Sequence, residues 1–152
     1  MVADEAPRSA EQRVADALAR LEHDEDVWVA SAGEGGPWLV PLSFQWTGQV
    51  LLLATGRDSP THRNALAGGL RLALGHTRDV VMLDGDVDVP EALPADQAET
   101  VARVTGVDPR VEEDGVYLRF LPRRVQAWRT YEETLDRTIM RDGRWVTAEP
   151  PA

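Results

Sequence analysis

The chain has 152 residues, 43% of them hydrophobic and 28% charged, with a formal net charge of −10. A chain of that size can close one domain around its own core, and its apolar share lies well above that of a disordered chain. All 16 basic residues are arginine and cysteine is absent, which excludes disulfides, thiolate metal sites, lysine Schiff bases and a P-loop lysine.

The opening stretch MVADEAPRSAEQ has neither the basic nor the apolar segment of a secretory signal. No apolar run approaches the roughly 20 residues that cross a bilayer. The acidic balance argues against nucleic-acid binding, whose affinity comes from neutralising phosphates. A cytoplasmic protein without a membrane or nucleic-acid partner is expected.

From Ser9 to His23, Val14, Ala17, Leu18 and Leu21 recur at helical spacing, and Ser9 stands three residues before Gln12 as a helix cap. VWVASA is the first predicted strand, GEGGP a turn, and WLVPLSFQW, Trp38 to Trp46, the second strand. Pro41 cannot donate to a ladder, so an edge position, a bulge or a ligand-facing break is expected there. TG then turns the chain into QVLLLAT, the third strand.

SPTHRNAL opens a short helix, and LRLALG and DVVMLDGDVDV follow as strands four and five. Extended residues flank DGDV closely, so it reads as a bulge and not a reversal. LPADQAETVARVTG is a helix ended by glycine, and the last strand runs from Gly115 to Trp128, broken by Pro122. Met140 and Trp145 partly order the tail, which is expected to fray at EPPA. The whole predicts a mainly β, antiparallel barrel of six strands with flanking helices: a helix over 9–23, a barrel over 26–129 and a tail over 130–152.

The loop between the third and fourth strands concentrates Ser59, Thr61, Arg63 and Asn64. These can converge on a phosphate, where free helix N–H groups and a bidentate guanidinium meet an anion. On local spacing alone the plainer reading is favoured, in which Ser59 merely caps the helix and Arg63 points to solvent. His23, His62 and His76 have no paired metal-ligand spacing, DGDVD lacks a calcium loop's terminal glutamate, and no nucleophile elbow is present. Trp28, Trp38 and Trp46 read as core or interface packing, and Trp128 either packs or walls a planar cofactor.

In order, DVWVASAGEGGPWLVPLSFQWTGQVLLLAT, SPTHRNAL, LRLALGHTRDVVMLDGDV, YLRFLPRRVQAWR and MRDGRW resemble the pyridoxamine 5′-phosphate oxidase-like FMN-binding split barrels, and in particular the actinobacterial flavin- or deazaflavin (F420)-dependent oxidoreductases. The resemblance implies a six-stranded split barrel, a homodimer, and a cofactor in each of two clefts between subunits. It implies a ring seated against Val40, Pro41, Leu42 and Ser43 and the strand end at Ala54 and Thr55, with Trp128 as a wall. The phosphate would lie in the cradle of Ser59, Thr61, Arg63 and Asn64. Relatives often carry lysine in this loop; here Arg63 supplies the cation, with Arg57 as a second.

FMN is the expected cofactor, needing one local phosphate site, and F420 the alternative, its polyglutamate tail suiting a cluster of Arg57, Arg63 and Arg71. Hydride would pass through flavin N5 to or from an unidentified small molecule. No catalytic acid or base and no metal ligand is singled out. Pyridoxamine phosphate oxidation is not assigned, and a carrier of flavin or tetrapyrrole without turnover is the rival reading.

Overall fold

The Ser9 hydroxyl accepts a hydrogen bond from the Gln12 backbone N–H (3.1 Å) and starts helix α1, Ala10–His23, in the computed structural model, which describes residues 5–146. The helix turns Arg13, Ala17 and Leu21 inward, and the Arg13 guanidinium donates to the Ala127 carbonyl (3.2 Å) beneath it. Strands β1 (Asp26–Gly33) and β2 (Gly36–Ser43) form a hairpin closed by Gly36 at φ +88°, a value that favours glycine. Then come β3 (Gln45–Trp46), β4 (Leu51–Gly56), α2 (Pro60–Gly68), β5 (Arg71–His76) and β6 (Asp79–Asp88). Helix α3 (Ala95–Thr105), β7 (Gly115–Trp128), the short α4 (Tyr131–Thr134), β8 (Thr138–Arg141) and β9 (Arg144–Trp145) complete the order.

Every strand pairing is antiparallel, in the order β2-β1-β5-β6-β7-β4-β3, with β8 on β7 and β9 on β8. β7 organises the sheet: its first half pairs with β4, its last with β8, and β6 runs along its other side. Alternation along the strands sorts the side chains. Val27, Val29, Leu72, Leu74, Val81, Leu83, Val125 and Ala127 point into the main core beside Ala17 and Leu21 of α1. Leu52, Ala54 and Tyr117 face the other way, under Ala98 and Val101 of α3. The residues opposed in register to Trp28, namely Pro41 and Ala73, and then Met82 and Gln126, share the outer face of β1, β5, β6 and β7.

The mainly β antiparallel architecture with flanking helices is the one expected. The second predicted strand, however, is two: at Phe44 the chain leaves β1, and β3 joins β4 at the opposite end of the sheet order. Phe44 is 3% exposed and its N–H donates to the Glu25 carbonyl (2.9 Å), so burying its ring sets the bend. Trp46 packs against the main core. The bulge falls at Asp84/Gly85, where a Cβ on Gly85 would stand 2.1 Å from the Leu121 carbonyl oxygen. Pro41 lies on an edge strand. The tail forms the β8–β9 hairpin through Asp142 (φ 52°) and Gly143 (φ 77°), and α4 carries a full capping box from Thr130 to Glu133. The fraying expected at EPPA lies outside the described residues.

Candidate functional site

Helix α2 is held at its start and along one side. The Ser59 hydroxyl accepts from the His62 N–H (3.2 Å) and from the Thr55 hydroxyl (3.3 Å), and Pro60 occupies the first turn, where its missing donor costs nothing. Asn64 Nδ2 donates to the Ser31 hydroxyl (3.1 Å), pinning α2 to β1. Gly33 makes the approach feasible: a Cβ there would meet Asn64 Oδ1 at 2.0 Å. His62 Nδ1 donates to the Arg57 carbonyl (2.7 Å).

Beside this helix opens a cleft of about 530 Å³, walled by the Gly33–Gly36 turn, Trp38, Pro60, Arg63, Asn64 and Ala67. Arg63 is exposed and donates to the Asp58 carbonyl, leaving guanidinium hydrogens for a ligand. The chain thus brings Arg63 and Asn64 into one cleft. Ser59 is occupied as the helix cap, and Thr61, 1% exposed, lies beneath the helix and not on the cleft wall. Arg57 reaches the Glu113 carbonyl (3.4 Å) and Arg71 pairs with Asp84 (3.1 Å), so Arg57, Arg63 and Arg71 do not form the cluster that the loop suggested.

On β2, Val40 and Leu42 pack against the core, while the Ser43 hydroxyl donates to Asp26 Oδ1 (2.6 Å). The Phe44 N–H points at β1, so by alternation the backbone groups of Leu39, Pro41 and Ser43 point away from it, off the edge of the sheet. That edge can hydrogen-bond the rim of a planar ligand. Thr55 is on the barrel side of β4 near Ser59, but Ala54 is packed under α3 on the other face.

Trp128 belongs to a second concavity. Trp28, Ala30, Leu39, Arg71, Met82 and Trp128 are among the walls of a groove of about 420 Å³ on the outer sheet face. Trp28 is 50% and Leu39 61% exposed, an apolar surface unusual on a monomer. The Arg137 guanidinium carbon sits 5.3 Å from the centroid of the Trp128 ring. Ser31, which faces α2, and Ala30, which faces the groove, are adjacent in β1 and so point to opposite sides. The cradle and the tryptophan groove are therefore separate in one copy of the chain. The role of Trp38 and the glycine turn as cleft walls was not anticipated; GEGGP, four small or acidic residues before a proline, was its only sequence signal.

Among the described residues no group of His, Asp and Glu is arranged to hold a metal ion, and no helix is long and apolar enough to cross a membrane. No family model matches the chain, and no curated protein sequence does. Solved structures do match. One is a FAD-binding protein from Mesorhizobium loti, with a TM-score of 0.60, 19% identity, and coverage of 79% of this chain and 92% of that one. An F420 reductase matches with a TM-score of 0.57 and 17% identity over 70% of this chain and 93% of its own. A heme-binding protein from Mycobacterium smegmatis gives 0.63 and 16% over 91% of this chain and 60% of its own. The chain has the fold of the pyridoxamine 5′-phosphate oxidase-like split barrels.

Proposed function

We propose that the protein is a flavin-type oxidoreductase that binds FMN, with F420 as the alternative, and acts on a small molecule as a homodimer. The observation that carries this reading is the cleft in which Arg63 and Asn64 stand beside Trp38 and a glycine turn, in a fold shared with proteins described as a FAD-binding protein and an F420 reductase. Arg63 supplies a bidentate cation for a phosphate, Asn64 a polar side chain already fixed by Ser31, and the glycines an unobstructed backbone. Glu34 stands on the same cleft, and with Arg57 and Arg71 turned elsewhere a single phosphate is favoured over a string of carboxylates. This supports FMN over F420.

The outward backbone of β2 would align the ring and the Ser43–Asp26 pair would hold the strand end. Such a cofactor supplies the two-electron hydride chemistry; the protein supplies orientation, electrostatics and exclusion of water. The exposed Trp28 and Leu39 support pairing of two copies, and a ligand touching both the α2 cleft and the Trp128 groove would draw one from each.

Calorimetric titration with FMN, F420 and riboflavin tests the reading. FMN should bind about ten- to a hundred-fold more tightly than riboflavin, which lacks the phosphate. Absence of FMN and F420 binding overturns it. Anaerobic reduction of the complex by a nicotinamide donor, read at the flavin bands, separates an enzyme from a carrier.

A further inference from the structure

We infer that a cavity at the Gly56–Gly115 end of the paired strands β4 and β7 binds a small zwitterion, an α-amino acid with a short apolar side chain, its carboxylate on Arg57 and the Tyr117 hydroxyl and its ammonium on Glu91. The cavity measures about 320 Å³ and is walled by the ends of the two strands, the segment joining β6 to α3 and the loop joining α3 to β7. That volume is at the small end of the range for ligand sites.

Tyr117 is 2% exposed and packs beneath Ala98 and Val101 of α3, yet it also forms part of the cavity wall. Among the described residues its hydroxyl is buried without a hydrogen-bond partner, a state that native proteins mostly avoid. Burial, and then the Asp108 carboxylate, push its pKa upward against the opposing charge of Arg110, so the hydroxyl keeps its proton and remains a donor. Asp108 and Arg110 flank Pro109, another wall residue, which sets the hydroxyl on that side of the cavity.

Arg57 and Glu91 stand exposed on the same cavity. Among the described residues neither forms an ion pair within 4.0 Å, with the other or with any third group. The Arg57 side chain reaches the Glu113 carbonyl (3.4 Å), which leaves most of its N–H groups for a ligand. Opposite charges that share a small cavity without neutralising each other suit a molecule carrying both signs; a simple anion or cation would answer only one of them. The backbone fixes this spacing. The Arg57 N–H donates to the Asp114 carbonyl (2.6 Å), and Pro90 precedes Glu91 with a locked φ. A Cβ on Gly115 would stand 3.2 Å from Pro109 Cα and Val107 Cγ1, so glycine lets the loop close over the strand end. Val89, Pro90, Pro109 and Val116 supply the apolar wall for the side chain. The cavity shares no wall residue with the α2 cleft or the tryptophan groove, so the inference stands or falls separately from the flavin reading.

Calorimetry on the full-length protein with L-valine, L-valine methyl ester and N-acetyl-L-valine tests it. L-valine carries both charges, the ester only the ammonium and the acetyl compound only the carboxylate, so L-valine should bind at least about tenfold more tightly than either. Arg57→Gln should weaken L-valine about tenfold and leave the ester within about twofold, whereas Glu91→Gln should weaken L-valine about tenfold and leave the acetyl compound within about twofold. Both side chains are exposed, so these variants should melt with the native protein. Tyr117→Phe should weaken L-valine and N-acetyl-L-valine but not the ester. No heat with L-valine at millimolar concentration overturns the inference, as does equal affinity for the three probes or L-valine binding unchanged in the Arg57 and Glu91 variants. A Tyr117→Phe protein that melts higher and binds L-valine as before also overturns it, because the hydroxyl is then only a packing defect.

Discussion

Arg63 and Glu133 show two uses of charge in one small protein. Arg63 is exposed, and among the described residues its side chain hydrogen-bonds only the Asp58 carbonyl, so Arg63→Ala should leave the melting temperature of the cofactor-free protein nearly unchanged. The same change should weaken FMN binding about ten- to a hundred-fold and hardly affect riboflavin, as read by titration. Glu133 is 3% exposed. Burial pushes its carboxyl upward, but hydrogen bonds from the Arg8 side chain, the Arg8 backbone and the Arg129 backbone overcome this and hold it at about 2. A carboxyl depressed from 4.5 to about 2 stabilises the fold fully above 4.5 and loses that contribution as the pH falls through the folded value. Thermal melts between those limits should show the loss. Glu133→Ala leaves Arg8 paired with Asp16 (3.0 Å) and Asp79 (3.3 Å) but removes its buried hydrogen-bond acceptor, and should cost about 1–3 kcal/mol at neutral pH and flatten the acid dependence.

At the scale of elements, the β6 bulge is the point where packing tolerates least. Gly85 opposes Pro122, and the 2.1 Å approach to the Leu121 carbonyl leaves no place for a methyl group. Gly85→Ala should destabilise by about 1–3 kcal/mol, seen as a lower midpoint in urea. This bulge was legible in DGDV because extended residues crowd both sides, and the ends of β7 were legible from Gly115 and Trp128. The break at Phe44 was not: WLVPLSFQW reads as one strand, and only the burial of Phe44 in the tertiary core decides that it bends. Helix α4 and the β8–β9 hairpin did carry local signals, Thr130 with Glu133 three residues on, and Asp142-Gly143. The cradle was half legible. Sequence puts Thr61 and Ala54 beside the other candidates, but the helix turns Thr61 under itself and the pleat turns Ala54 toward α3.

For the whole molecule, an uncovered apolar face next to a charged rim is the dominant surface feature. Substituting Trp28→Asp together with Leu39→Glu removes two exposed apolar side chains and places acids where a second copy would pack. Sedimentation at micromolar concentration should show a dimer for the native protein and a monomer for the double variant, with the melting temperature of the monomer still that of a folded chain. A native monomer would remove the shared cofactor cleft.

The proline positions on β2 have a further consequence. Pro37 and Pro41 sit four residues apart on the terminal strand of the sheet order, and β3, at the other end of that order, is two residues long. Both prolines withhold a hydrogen from the outward side, so a stray strand meeting that edge finds donors only at Leu39 and Ser43. An incoming peptide cannot zip along it. The molecule can therefore expose Trp28 and Leu39 on its outer face without also offering an edge template for fibrils.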